Sequence, residues 1–195
     1  MAITRTMKDN DTRAINVPNI ISLFRFFITF YFIYAVNQGR MRLALYLFLV
    51  QGISDLLDGF IARTMGSKTV LGAYLDPIAD KTMLVAAFVM LYIAGVVPGW
   101  LTLLVLGRDV VIAAGYLILY KYANNVRPRP TIYGKITTAL QIATIVYTLW
   151  SAGKIELHTY DLVLFIATSL ATVISGIHYC VRGWSVFKKR AINEQ

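Results

Sequence analysis

The chain has few cysteine, proline and acidic residues for its size. Its 195 residues include one cysteine and 5 prolines, and 10 acidic residues stand against 19 lysines and arginines. A lone Cys180 allows no disulfide within the chain and fits no cysteine-based metal spacing. Strand-like alternation of apolar and polar residues is also absent, which favours a helical fold.

Apolar residues dominate what is present. The chain is 57% hydrophobic, and its mean hydropathy is +0.62. Six segments approach the roughly 20 apolar residues that a membrane-spanning helix needs. They are residues 19–37, 42–63, 70–95, 99–122, 133–152 and 159–181. We therefore predict an all-α, integral membrane bundle of six transmembrane helices, forming a single domain over 1–195. Residues 1–17 would be a cytoplasmic N-terminal segment able to form an interfacial helix, and 182–195 a cytoplasmic tail.

Positive charge is distributed unevenly over the predicted loops. Thirteen of the 19 basic residues lie at the termini, in the loop between the second and third spans, or in the loop between the fourth and fifth, against three on the opposite side. This bias places both termini in the cytoplasm. Because the basic residues flank apolar segments, anionic lipid is a better partner than nucleic acid. A bacterial inner membrane is the expected location.

Four carboxylates interrupt two of the apolar segments: Asp55, Asp58, Asp76 and Asp80. An ionisable side chain inside a bilayer is costly and usually serves a function. Lys81 and Arg63 are the nearby basic residues, so a bound cation is the simplest counter-charge. Carboxylate oxygens suit Mg²⁺ or Mn²⁺, and four of them could hold two ions.

The spacing of these residues predicts two facing stripes on consecutive helices. The first stripe is Asp55, Asp58, Gly59 and Ala62, and the second is Gly72, Asp76 and Asp80. Separations of three and four residues place side chains on one helix face. The small residues leave room for a ligand beside the acids. Paired divalent ions are a recurring solution for phosphoryl displacement, so a phosphate-bearing substrate and a pocket open to the cytoplasm are expected.

Two other interpretations remain open at this point. The acids could be structural hydrogen-bonding groups. Four intramembrane carboxylates without matching basic residues are hard to explain by a structural role alone, however. They could also coordinate ions in an ion-coupled transporter. The absence of an internal repeat and the position of the acids near one face of the membrane count against the transporter.

Residues 55–80 resemble the signature of the CDP-alcohol phosphatidyltransferases, D-x-x-D-G-x-x-A-R-(x8)-G-x-x-x-D-x-x-x-D, at all eight specified positions. A weaker likeness extends over much of the chain, including Gly107-Arg108-Asp109 and the segment from Gly134 to Gln141. The resemblance implies a six-helix membrane enzyme, commonly a homodimer, that exchanges CMP on a CDP-linked lipid for an acceptor hydroxyl.

The resemblance also implies a role for each matched position. Asp55, Asp58 and Asp76 match metal ligands, and Asp80 matches the carboxylate that approaches the second metal and accepts the acceptor's proton. The positions that match the CDP pocket are Asp58, Gly59, Ala62, Arg63 and Gly72. CDP-diacylglycerol is the implied donor.

The acceptor is harder to assign, because the sequence resembles the phosphatidylglycerol branch, which has two members. Enzymes that use glycerol 3-phosphate typically carry an arginine and a lysine where this chain has Tyr116 and Thr137. Their absence favours phosphatidylglycerol as acceptor, giving cardiolipin, with glycerol 3-phosphate as the alternative. Arg108, Arg127, Arg129 and Lys135 are the candidate acceptor- or phosphate-binding residues. For Arg127 and Arg129 the favoured role is membrane anchoring by positive charge, and Arg108 equally suits an ion pair.

Overall fold

The computed structural model contains six α-helices among the residues that it describes. They are α1 (Val17–Asn37), α2 (Met41–Met65), α3 (Val70–Ile93), α4 (Gly99–Tyr122), α5 (Ile132–Ser151) and α6 (Thr159–Asn193). The structure describes residues 17–65, 70–122, 131–152 and 159–193, including the side chains of 24–54, 81–115, 118, 131–152, 160–183 and 185. No strand occurs among these residues, so the prediction of an all-helical chain with six helices is confirmed. The proposed interfacial helix before Pro18 lies outside them.

Helix α6 is longer than the predicted sixth span. The other five helices agree with the predicted spans to within two residues at each end, whereas α6 continues past position 181 to Asn193. The apolar character stops near Arg182, but helix formation does not depend on it. Lysine and arginine are good helix formers and are favoured at a helix C-terminus, where they complement the macrodipole.

Two glycines end helices and set the turns at one end of the bundle. Gly39 has φ 69° and Gly95 has φ 73°, values that residues with a Cβ rarely adopt. In each turn the glycine N–H and the next N–H donate back to the last helical carbonyls, as in Arg40 to Ala35 and Val96 to Leu91, both 2.9 Å. These are Schellman motifs. We call this the tight-turn end, and the opposite end, where α2 ends and α3 begins, the motif end.

The helices pack as two groups of three. Helix α1 packs against α2 and α3, and α6 packs against α4 and α5. The groups join where α5 contacts α2 and α3 and where α3 contacts α4. The two helices that carry the signature therefore lie in one group, and both contact α5 of the other group.

Apolar side chains fill the half of the bundle near the tight-turn end. The buried cluster comprises Phe32, Ala35, Val36, Ala44, Leu45, Phe48, Met83, Ala87, Phe88, Leu91, Val97, Leu101, Val105, Ile145, Leu149 and Phe165. Burial of this apolar surface stabilises the packed helices. The closely packed cluster leaves little space for a polar ligand in that half of the bundle. A polar site therefore fits better toward the motif end.

The outer surface is apolar, and many polar side chains are inside. Phe27, Leu103 and Tyr160 are 62%, 73% and 77% exposed, whereas Thr137 and Gln141 are fully buried. Small hydroxyl residues at helix contacts are typical of helix packing in membranes. Among the described side chains, Tyr160–Gly183 of α6 is the helical stretch long and apolar enough to span a membrane, judged by length and composition. Shorter apolar stretches occur at Phe24–Asn37, Met41–Ser54 and Lys81–Ile93, each bounded on one side by the limit of the described side chains.

Candidate active site

The eight signature positions all lie in helical backbone on two consecutive helices. Asp55, Asp58, Gly59, Ala62 and Arg63 fall in the last part of α2, and Gly72, Asp76 and Asp80 fall in the first part of α3. The spacings of three and four residues thus act within regular helix, as the sequence predicts. The side chains at these positions lie outside the described residues, so the facing of the two stripes stays a prediction.

The case for a metal centre likewise rests on the chemical type of the predicted ligands. Among the described side chains, no group of three or more His, Cys, Asp or Glu residues could hold a metal ion. The four predicted ligands are outside that set. Their chemistry, carboxylates placed at helical spacing, is the donor type that Mg²⁺ and Mn²⁺ favour.

Immediately after Asp80, the described part of the site begins with an ion pair between α3 and α4. The Lys81 Nζ lies 2.5 Å from Asp109 Oδ2. The Lys81 side chain is 48% exposed and that of Asp109 is 12% exposed. Lys81 adjoins Asp80 in the chain, so this ion pair lies on the helix that carries two of the predicted metal ligands.

Asp109 also holds the neighbouring arginine. The Arg108 Nη1 donates to Asp109 Oδ1 at 2.7 Å, and its Nη2 donates to the Ser175 hydroxyl on α6 at 3.0 Å. The Arg108 side chain is 8% exposed, and its Cζ lies 5.7 Å from the ring centroid of Tyr179. We call Lys81, Arg108 and Asp109 the ionic cluster. Of the two roles predicted for Arg108, the ion pair is the one seen.

Tyr179 connects the ionic cluster to the start of α5. The Thr131 hydroxyl caps α5 by accepting from the Gly134 N–H at 3.2 Å, and the Thr131 N–H makes a long contact of 3.5 Å with the Tyr179 hydroxyl. A Cβ on Gly134 would lie 3.2 Å from that hydroxyl. Glycine at this position therefore permits the close approach of α5 to α6.

The remaining candidate acceptor residues fall into two groups. Arg127 and Arg129 lie outside the described residues. Lys135 is on the exposed side of the first turn of α5 and makes no ion pair with a described residue. The structure thus brings Arg108 into the ionic cluster with Lys81, the residue after Asp80 in the chain, and leaves Lys135 outside it.

Two buried residues on α5 matter to the site, although the sequence analysis gives neither of them a role. The Thr137 hydroxyl lies 2.9 Å from the carbonyls of Tyr133 and of Ala171 on α6. Gln141 is fully buried, and neither polar atom of its amide has a hydrogen-bond partner among the described residues. The available signal was their spacing of four residues within a predicted membrane span.

Comparison with known proteins places this arrangement in a family. The model of the family described as CDP-alcohol phosphatidyltransferase matches residues 15–177. The chain belongs to the CDP-alcohol phosphatidyltransferase family. The match covers all eight signature positions, the ionic cluster and Gln141. Members of this family are membrane-associated and generally depend on divalent metal.

Individual relatives in the CDP-alcohol phosphatidyltransferase family carry two kinds of name. The cardiolipin synthase (CMP-forming) of Rattus norvegicus is 32% identical over 84% of this chain and 60% of its own length. The probable phosphatidylglycerophosphate synthase of Mycobacterium tuberculosis is 33% identical over 87% of this chain and 82% of its own length. The CDP-diacylglycerol–glycerol-3-phosphate 3-phosphatidyltransferase of Aquifex aeolicus is 29% identical over 89% of this chain and 99% of its own length.

Coverage differs between the two kinds of relative. The chain spans about three-fifths of the rat cardiolipin synthase it matches, and half of the human one. It spans nearly the whole of the Aquifex glycerol-3-phosphate enzyme. The identities are close to one another, so overall similarity does not distinguish the two acceptors.

Proposed function

We propose that the protein transfers a phosphatidyl group from CDP-diacylglycerol to the hydroxyl of a second substrate and releases CMP. The observation that carries this proposal is the complete eight-position signature, set in helical backbone at the end of α2 and the start of α3. Membership of the family supports it.

In this proposal Asp55, Asp58, Asp76 and Asp80 hold the divalent ions, Mg²⁺ or Mn²⁺ and two in number. An all-carboxylate set is what such hard cations take, and the family's general dependence on divalent metal agrees. Bound divalent ions would neutralise charge on the pyrophosphate and make its phosphorus more open to attack. Asp58, Gly59, Ala62, Arg63 and Gly72 form the CDP pocket, with Arg63 near phosphate.

Asp80 is the proposed catalytic base. It takes the proton of the acceptor hydroxyl while that oxygen bonds to the phosphorus bearing the diacylglycerol, and the bond from this phosphorus to the oxygen of the leaving CMP breaks. One phosphodiester is formed and one pyrophosphate bond is lost. No oxidant or further reactant is needed.

Phosphatidylglycerol is the proposed acceptor, and cardiolipin the product. Glycerol 3-phosphate carries a dianionic phosphomonoester, which would need extra cations, because an unpaired phosphate in a partly buried site is costly. Position 137, where a lysine would serve that purpose, holds a buried threonine bonded to backbone carbonyls. Arg108 is bonded to Asp109. Glycerol 3-phosphate remains the second candidate, because the Aquifex relative is named for it.

We also propose that the six helices form one membrane domain with both termini and the active site facing the cytoplasm, in a bacterial inner membrane. The apolar outer surface and the buried hydroxyl residues support a lipid environment. The excess of basic residues on one side supports the orientation. Homodimer formation is proposed from the resemblance alone.

The deciding experiment is a product assay on purified protein in detergent. CDP-diacylglycerol is offered with phosphatidylglycerol or glycerol 3-phosphate, with Mn²⁺ or Mg²⁺ or with a chelator, and CMP and lipid products are measured. We expect CMP and cardiolipin only when divalent metal and phosphatidylglycerol are present. Absence of metal-dependent CMP release with either acceptor would overturn the activity. Turnover with glycerol 3-phosphate alone would overturn the acceptor.

A further inference from the structure

Gln141 differs from its polar neighbours on the buried face of α5. Thr144 and Thr148 lie on the same face, and each hydroxyl has partners: Thr144 contacts the Leu140 carbonyl and the Thr168 hydroxyl, and Thr148 contacts the Thr144 carbonyl. Gln141 is equally buried, yet its Oε1 and its Nε2 both lack a hydrogen-bond partner in the part of the chain that the structure describes. A buried amide without hydrogen bonds is less favourable than an apolar side chain of the same size, so the site is incomplete as it stands.

Contacts between helices place Gln141 about two helical turns farther from the motif end than the contact of Arg108 with Ser175. Arg108 binds Ser175 on α6, and Thr137 binds the carbonyl of Ala171, one helical turn farther from the motif end. Gln141 follows Thr137 by one more turn, about 6 Å. Side chains tilt toward the N-terminus of their helix, which for α5 is toward the motif end. The amide therefore lies between the ionic cluster and the apolar core.

Helix α5 is also the helix that meets both signature helices. It contacts α2, which carries Asp55 and Asp58, and α3, which carries Asp76 and Asp80. Its buried face carries Thr137, Gln141, Thr144 and Thr148 beside the apolar Ile145 and Leu149. Of these polar side chains, Gln141 is the one whose polar atoms have no hydrogen-bond partner among the described residues.

The unpaired donors and acceptor of the Gln141 amide limit the chemical class of ligand that could bind there. A primary amide offers donors on nitrogen and an acceptor on oxygen, and it carries no charge. A hydroxyl group can both donate and accept, so it satisfies the two sides of the amide at once. A phosphate can only accept from the nitrogen and would leave the amide oxygen unpaired. The buried amide therefore suits a neutral hydroxyl.

We propose that the amide of Gln141 binds a hydroxyl of the acceptor's glycerol group and so forms the floor of the acceptor subsite. This inference rests on the proposed function and refines it. Both candidate acceptors contain a glycerol hydroxyl, so the residue would bind a feature they share. The charged parts of the substrates would remain nearer the motif end, beside Arg108 and Lys81.

The test compares Gln141→Met, which keeps the length of the side chain and removes both polar atoms, with Thr144→Val as a matched control on the same face. Wild type and variants are assayed with varied CDP-diacylglycerol and with varied acceptor, and thermal unfolding is recorded for each. For Gln141→Met we expect KM for the acceptor to rise about tenfold, as the loss of one or two hydrogen bonds predicts. We expect KM for CDP-diacylglycerol to change less than about twofold, because the amide does not touch the donor.

The stability readout separates substrate contact from a structural role. Gln141→Met removes two unsatisfied buried groups from the free protein, so its Tm should equal or exceed that of wild type. Thr144→Val loses the bond to Thr168 and should lower Tm without changing either KM. An unchanged acceptor KM in Gln141→Met, or a fall in Tm with equal losses for both substrates, would overturn the inference. A wild type inactive with both acceptors would instead overturn the proposed function, and this inference with it.

Discussion

Asp109 is shared by two basic side chains from different helices. Its carboxylate contacts Lys81 on α3 and Arg108 on α4. The Lys81 side chain is about half exposed, so its ion pair contributes little to stability. The Arg108 side chain is largely buried, and a buried charge that loses its partner is strongly destabilising. Asp109 is therefore worth more for holding Arg108 than for holding Lys81.

We predict that Asp109→Asn lowers the free energy of unfolding by about 3–5 kcal/mol, the range measured when one partner of a buried pair is removed. Lys81→Ala should change it by less than about 1 kcal/mol. Thermal or denaturant unfolding of the purified protein in detergent measures both. Equal stability of Asp109→Asn and wild type would show that the Arg108 pair does not support the packing of α4 against α6.

The proposed base and the proposed metal ligands should separate in binding and catalysis. Asp80→Asn keeps the shape of the side chain but loses the proton acceptor, so CMP release should fall by about a hundredfold or more. Some CDP binding should persist, because the other three proposed metal ligands remain. Asp76→Ala removes a ligand and should abolish both activity and metal-dependent CDP binding. Titration with CDP and an assay of CMP measure these effects.

Folding must be checked in the same variants. Both should elute and melt like wild type, because the change removes a charge from a site built for a cation rather than from the apolar core. Near-normal turnover in Asp80→Asn would remove Asp80 as the base. Retained activity in Asp76→Ala would contradict its assignment as a ligand.

At the residue scale, the sequence predicts what is local and misses what depends on distant contacts. The signature positions and their helical spacing follow from residues 55–80 alone. The partners of Arg108 do not: Ser175 is 67 positions away in the chain, and its approach depends on how α4 packs against α6. The missing partners of Gln141 are likewise visible only once the surroundings of α5 are known.

The helix α5 is positioned by its first turn. The Thr131 hydroxyl caps its N-terminus, and Gly134 allows the Tyr179 ring to lie against the same turn. Tyr179 in turn lies under the guanidinium of Arg108. The sequence predicts this helix to within a residue at each end, since its apolar run is long. It does not predict the close approach to α6, which depends on a glycine that no turn or positive φ requires.

We predict that Gly134→Leu lowers both Tm and CMP release, because the new side chain displaces the Tyr179 ring and separates α5 from α6. A Cβ alone would already lie 3.2 Å from the tyrosine hydroxyl and 3.3 Å from the capping Thr131 oxygen. Gly52→Leu is the matched control: Gly52 lies within α2, and a Cβ there meets nothing within 4 Å. The control should be neutral or slightly stabilising, since leucine favours helix over glycine by roughly 0.5–1 kcal/mol. Similar behaviour of the two variants would exclude close packing as the reason for glycine at 134.

For the whole molecule, the apolar core and the polar site occupy opposite halves of the bundle. The core residues of α1, α2 and α3 lie beside the turns at Gly39 and Gly95, whereas the signature lies at the other ends of α2 and α3. Substrates that enter from the tight-turn end would have to pass through packed apolar side chains. Access from the motif end, or laterally from lipid near it, is therefore the expected route for both lipid substrates.

The orientation of the bundle then decides on which side of the membrane the reaction occurs. The excess of basic residues lies at the termini and at the loops of the motif end, so that end should face the cytoplasm.

Two exposed positions test this orientation on a Cys180→Ser background: Gln38, in the turn after α1, and Ser185, near the end of α6. In intact cells that express the protein in an inner membrane, a membrane-impermeant maleimide should label Gln38→Cys directly. It should label Ser185→Cys only after the membrane is permeabilised. The reverse pattern would place the signature on the outer side, away from the cytoplasmic supply of nucleotide-linked lipid, and would contradict both the orientation and the direction of substrate entry.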